Sequence, residues 1–132
     1  MHVLFVDDTP DTRELYRLYF TLNGHVTETA PDGLEALRII ARDSEGLDLI
    51  ILDYHMPGMS GLEVVQHLRQ MEDITSVPII LFTGDTQEDF APKIRELGIA
   101  CVVYKPIDPN KLIATAKNIV YKGEPLPVKS CR

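Results

Sequence analysis

Five side chains able to do chemistry stand at matching points in this chain, each directly after a short apolar run. Asp7 and Asp8 follow residues 3–6, Asp53 follows 49–52, Thr83 follows 77–82 and Lys105 follows 101–104. Three carboxylates brought together repel one another and raise each other's pKa unless a cation neutralises them. Magnesium is the natural occupant, because it takes oxygen ligands and is commonly held by one or two carboxylates together with phosphate oxygens. A carboxylate held in line with a phosphodonor is also a competent nucleophile. In phosphoryl transfer, positioning and charge neutralisation are most of the catalysis.

The elements that must position these groups can be read from the pattern. Residues 3–6 form a β-type run, and Thr9-Pro10 then starts a helix with Leu15, Leu18, Tyr19 and Leu22 on one face, stopped at Asn23-Gly24. A weakly apolar strand over 25–29 reads as a sheet edge, and after Pro31-Asp32-Gly33 a second helix carries Leu34, Leu37, Ile40 and Ala41 inward. Residues 49–52 and 77–82 lack polar alternation, as strands covered on both faces do, and a helix with Leu62, Val65 and Leu68 lies between them.

The segment 86–97 is helical in pattern but carries Pro92, which lacks an amide proton and clashes with the preceding turn, so a distorted or late-starting helix is expected. Phe90 and Ala91 just before it read as an exposed apolar pair. A strand over 101–104 and a helix after Asp108-Pro109, with Leu112, Ile113, Ala116, Ile119 and Val120, complete the alternation. Five strands alternating with five helices predict an α/β fold, a doubly wound parallel sheet with right-handed crossovers and helices on both faces. In such sheets ligands bind outside the carboxyl ends of the strands, where all five side chains are expected.

The chain has 132 residues, 45% hydrophobic and 25% charged, enough for one self-sufficient core. Twenty acidic against thirteen basic residues give a net charge of -7, whose average field repels a phosphate backbone or an anionic membrane, so neither nucleic acid nor membrane is an expected partner. No apolar run is long enough for a membrane span and the amino terminus lacks a signal-peptide pattern, which makes the cytoplasm the expected location. Cys101 and Cys131 form no CxxC pair and no ligand cluster with the histidines; Cys101 is expected as a small buried hydrophobe. Residues 1–121 are read as one domain and 122–132 as an extended tail or linker.

Taken in order, "VDD" (Asp7, Asp8), "LDYHMPGMSG" (Asp53), "FTGD" (Thr83) and "YKP" (Lys105) resemble the motifs of a response-regulator receiver domain, over essentially the whole chain to about residue 121. Each motif is weak alone; their joint order at successive strand ends is specific. The resemblance implies a flavodoxin-like strand order 2-1-3-4-5. It implies Asp53 as phosphoacceptor in a two-component phosphorelay, Lys105 as the ion-pair partner of the phosphoryl group and Thr83 as the switch hydroxyl. Magnesium would be held by Asp8 and Asp53 through carboxylates, by His55 through its backbone carbonyl and by Asp7 mostly through water.

The implied partners are a histidine kinase or histidine phosphotransfer protein and a downstream protein target, engaged by the surface of the fourth helix, fifth strand and fifth helix; dimerisation on activation is common in the family. Such a chain is a signalling phosphoacceptor that catalyses only its own phosphorylation and dephosphorylation. The family also typically has a cis peptide before the proline that is Pro106 here. The side chains of His55 and Asp85 are expected to border the pocket and to affect how readily water attacks an acyl phosphate.

Two departures stand out. Many receivers carry a Tyr or Phe three residues before the lysine, and here that position is Val102; Tyr104 has the same strand parity. Pro92 alters the helix that belongs to the output face. Two other classes match part of the pattern: a phosphohydrolase with an aspartyl nucleophile, which usually presents Asp-x-Asp after its first strand, and a receiver-like interaction module that never turns over phosphate.

Overall fold

The computed structural model describes residues 1–43, 45–71 and 76–122. Among these, the strands β1 (His2–Val6), β2 (Val26–Ala30), β3 (Leu49–Asp53), β4 (Ile79–Thr83) and β5 (Cys101–Tyr104) alternate with α1 (Pro10–Leu22), α2 (Gly33–Arg42), α3 (Gly61–Arg69), α4 (Ala91–Leu97) and α5 (Pro109–Lys122). All strand pairs are parallel and the order is β2-β1-β3-β4-β5, the order implied by the resemblance. β3 and β4 are buried along their whole length, which explains their unbroken apolar sequences.

Strand parity sorts the core into two layers. Leu4, Val6, Ile50, Leu52, Ile79, Leu81 and Val102 face Ala36 and Ile40 of α2, Val64 and Leu68 of α3, and Ile94 of α4. Val3, Phe5, Leu49, Ile51, Ile80, Phe82, Cys101 and Val103 face Tyr16 and Phe20 of α1 and Leu112, Ile113, Ala116 and Ile119 of α5. Each fully buried aliphatic or aromatic side chain contributes roughly 1.5–3 kcal/mol, so the strand ends are held by a stiff scaffold.

Three sequence expectations are corrected. In α1 the inward residues are Tyr16 and Phe20, whereas Leu15, Leu18 and Leu22 face solvent. Tyr16 wins the buried position because its ring stacks on Phe5 at 5.2 Å and meets Phe82 edge-on at 5.3 Å, while its hydroxyl donates to Ile107 O at 2.8 Å. In α2 the buried set is Gly33, Ala36, Ile39 and Ile40, and Leu34 and Ala41 are exposed.

Phe90 is not exposed: at 2% accessibility it belongs to the core. The helix after it starts late, as the proline requires, with Pro92 in its first turn, where the missing N–H costs nothing. Cys101 is fully buried, α5 runs through Lys122, and both Cys131 and the expected tail beyond Lys122 lie outside the described residues.

Candidate phosphoacceptor site

Asp7, Asp53 and Lys105 share the strand parity of Phe5, Ile51 and Val103, so they emerge on the face that carries the aromatic group of Phe5, Tyr16 and Phe82. Thr83 has the opposite parity and lies across from Tyr104 on β5. The backbone of Asp53 is fixed by close approach of α3. Gly61 N–H donates to Tyr54 O at 2.8 Å, and a Cβ at Gly61 would lie 2.3 Å from Asp53 O, so only glycine lets the helix start there. Ser60 caps that helix through the Glu63 amide at 3.2 Å.

The acidic groups converge. One carboxylate oxygen from each of Asp7, Asp8 and Asp53 lies within 4.8 Å of the others, with Asp7 and Asp53 buried and Asp8 exposed. Lys105 Nζ sits 2.8 Å from Asp7 Oδ2 and 3.3 Å from Asp53 Oδ2, and 5.1 Å from the centre of the Phe82 ring. The other oxygen of Asp7 accepts the Thr9 amide at 2.9 Å, and Arg13 donates to Asp7 O at 2.7 Å. Both oxygens of Asp7 are thus engaged by the protein itself.

Burial and neighbouring charge pull in opposite directions on both Asp53 and Lys105. Burial, then the neighbouring charge of Asp7, pushes the Asp53 carboxyl up to about 6, against the opposing pull of Lys105. Burial works to lower the Lys105 ammonium, but the hydrogen bond to Asp7 and the charges of Asp53 and Asp7 outweigh it and raise it. A cluster with three carboxylates against one ammonium is short of positive charge. Its donors are hard oxygens, so the residues present fit magnesium, with Asp8 and Asp53 offering carboxylates and His55 standing two residues beyond Asp53.

Thr83, at the carboxyl end of β4 next to β3, is fully buried and its hydroxyl oxygen accepts the Asp85 amide of its own loop at 3.0 Å. The His55 ring is well exposed and its Nε2 lies 3.1 Å from Asp85 Oδ2. This contact, followed by the Gln87 amide, holds the Asp85 carboxyl below the usual range. Lys105-Pro106 is a cis peptide. Beside it Thr86, Tyr104, Ile107, Asp108 and Lys111 line a groove of about 450 Å³ between the β4–α4 loop, β5 and the start of α5.

Three residues in contact with Asp7, Asp53 or Lys105 were not singled out in the sequence: Gly61, Phe82 and Arg13. Gly61 was visible only as one of two glycines in a loop, and its need became clear from its distance to Asp53 O. Phe82 read as a plain strand residue, and nothing in sequence marked Arg13 as a neighbour of the site.

The sequence model of the family described as "Response regulator receiver domain" matches residues 3–117. The "Response regulator SaeR" of Staphylococcus epidermidis is 32% identical over 119 residues, covering 90% of this chain and 50% of that protein. The "Probable transcriptional regulator ycf27" of Cyanidium caldarium is 40% identical over 121 residues, covering 90% of this chain and 46% of that protein. The chain therefore spans about half the length of these curated relatives. Among solved structures, the Vibrio cholerae chemotaxis protein CheY4 superposes with a TM-score of 0.83 at 30% identity, covering 89% of this chain and 97% of that one. The receiver domain of the Francisella response regulator 1452 does so with a TM-score of 0.80 at 29% identity, covering 92% and 97%.

Proposed function

The chain belongs to the response-regulator receiver family of two-component signalling, and on that premise we propose that Asp53 is its phosphoacceptor. The observation that carries the proposal is the convergence of Asp7, Asp8, Asp53 and Lys105 at the carboxyl end of the sheet. Burial and the charge of Asp7 push the Asp53 carboxyl up to about 6, still below neutral pH, so its carboxylate form is available as a nucleophile at pH 7.

An Asp53 carboxylate oxygen attacks the phosphorus of a phosphohistidine on a kinase or phosphotransfer protein; the P–N bond breaks, the imidazole leaves, and an aspartyl phosphate forms. Lys105 stays beside the incoming oxygens, released in part from Asp53 to pair with the phosphoryl group. Magnesium, when bound, neutralises charge that accumulates on the phosphoryl group in transfer. Asp8 and Asp53 would hold it directly, His55 through its backbone carbonyl, and Asp7 through water, since its own oxygens are taken by Lys105 and Thr9. Reversal by water attack at phosphorus, with Asp53 as leaving group, resets the protein.

Thr83 is the sensor. Its hydroxyl oxygen accepts the Asp85 amide while its O–H donates to a phosphoryl oxygen once the β4–α4 loop moves inward, and that motion reshapes the α4, β5 and α5 surface with its groove. Output passes to a protein partner through this surface. The output of a longer regulator, such as the transcriptional role in a relative's name, would need chain beyond the part described. The test is calorimetric binding of beryllofluoride, a phosphoryl mimic. Magnesium-dependent binding to the wild type and none to Asp53→Asn is expected; equal binding to both, or none to either, contradicts the reading.

A further inference from the structure

The β4–α4 loop is braced at both ends by two consecutive residues of the β3–α3 loop. At its start, Asp85 Oδ2 lies 3.1 Å from His55 Nε2. At its end, the Phe90 ring meets Tyr54 edge to face, with centroids 5.0 Å apart and planes at 81°. The Tyr54 ring also lies 4.4 Å from the His55 ring, so Asp85, His55, Tyr54 and Phe90 form one contiguous run of contacts.

The two rings of the edge-to-face pair differ in how their backbones are held. The Tyr54 backbone is fixed, its N–H donating to Phe82 O at 3.2 Å and its O accepting from Gly61 at 2.8 Å. Phe90 is buried and is the residue from which α4 departs, its O accepting the Ile94 amide at 2.9 Å. Any displacement of Phe90 therefore moves the first turn of α4. On β5, the position three residues before Lys105 holds Val102, fully buried in the same layer as Phe90 and Ile94, and a valine has no ring to swing.

We propose that Tyr54 and Phe90 are the positioning pair that carries the state of Asp53 to helix α4, in place of an aromatic on β5. The proposal rests on the phosphoacceptor reading and specifies how that site is read out. When the β4–α4 loop closes on a phosphorylated Asp53, Asp85 and Phe90 move against the fixed 54–55 segment. The edge-to-face contact then takes up a second arrangement. Packed aromatic contacts have discrete good geometries, so this pair biases two states rather than bending smoothly; such pairs tilt a two-state equilibrium by roughly two- to tenfold.

The test is amide NMR of the full chain with magnesium and beryllofluoride as the probe, in wild type, Tyr54→Leu, Tyr54→Phe, Phe90→Leu and Tyr104→Leu. In the wild type the amides of residues 83–85 and those of Ala91 and residues 93–97 should both shift. In Tyr54→Leu the probe should still shift 83–85, while the shifts over 91–97 fall roughly two- to tenfold, the range such a pair supports. Tyr54→Phe should restore them, because the ring and not the hydroxyl makes the contact. Phe90→Leu should match Tyr54→Leu, and Tyr104→Leu should leave them intact.

A full α4 response in Tyr54→Leu, or its loss in Tyr104→Leu alone, overturns the proposal. Because Tyr54 is only half-buried, its leucine variant tests the idea even if Phe90→Leu fails to fold. No probe-dependent shift anywhere in the wild type would instead overturn the phosphoacceptor reading, and the relay with it.

Discussion

The ammonium of Lys105 lies 2.8 Å from the fully buried carboxylate of Asp7, a residue 98 positions away in the chain. That single contact ties the end of β5 to the end of β1 across two intervening strands, and it sets the electrostatics of the site. Without Lys105, Asp7 would be a buried carboxylate facing two others.

Removing it should therefore cost more than a surface ion pair would. Lys105→Met is expected to lower the unfolding free energy at pH 7 by about 3 kcal/mol, because truncating one partner strands the other charge in the interior. The raised Lys105 pKa means this contribution is present throughout the neutral range and is lost only as the pH rises through the alkaline folded value. Urea unfolding at pH 7 with and without magnesium checks this, and the metal should recover part of the loss.

Asp53 has the opposite sign. Its folded pKa of about 6 lies above the ordinary value of 3.8, so the folded protein holds this proton more tightly than the unfolded chain. Stability then falls as the pH rises between roughly 4 and 6, and the full cost is present above that window. Asp53→Asn should be more stable than wild type at pH 7 by about 2 kcal/mol, with the difference vanishing near pH 3.5. Magnesium should raise the melting temperature of the wild type more than that of the variant.

Gly61 gives a test of position. Gly61→Ala sets a methyl group 2.3 Å from Asp53 O, so the β3–α3 backbone must shift. A loss of about 1–3 kcal/mol is expected, the usual cost of overpacking, together with slower phosphorylation by acetyl phosphate. Gly58→Ala is the control: its φ of +83° also strains an alanine, yet a Cβ there meets nothing within 4 Å, so it should lose stability while phosphorylating at nearly the wild-type rate.

The His55–Asp85 bridge spans the two loops beside Asp53. His55→Ala should speed dephosphorylation, because water gains access to the acyl phosphate. The effect should be modest, roughly two- to fivefold, since the His55 ring is 68% exposed and such pairs are worth little. Decay of the phosphorylated protein, followed by intact mass over time, measures it.

The sheet was readable because β3 and β4 are buried on both faces and show it as unbroken apolar sequence, and because Asp53 and Thr83 interrupt those runs at their ends. Helix faces were less readable. In α1 the leucines at 15, 18 and 22 imitate a core stripe, yet Tyr16 and Phe20 take the interior, since ring stacking against Phe5 and Phe82 depends on partners from distant strands. Phe90 escapes the local pattern for the same reason: it is buried among residues of distant elements and meets Tyr54 edge to face, and no local pattern encodes those contacts. The proline in α4, by contrast, acts through its own backbone and announced itself. Local chemistry was legible; pairwise packing was not.

The central claim is tested most directly by intact mass after incubation with acetyl phosphate and magnesium, on wild type and on Asp53→Asn. A single phosphoryl adduct on the wild type that is missing from the variant is the predicted result. No adduct on either protein, or an equal adduct on both, would contradict it.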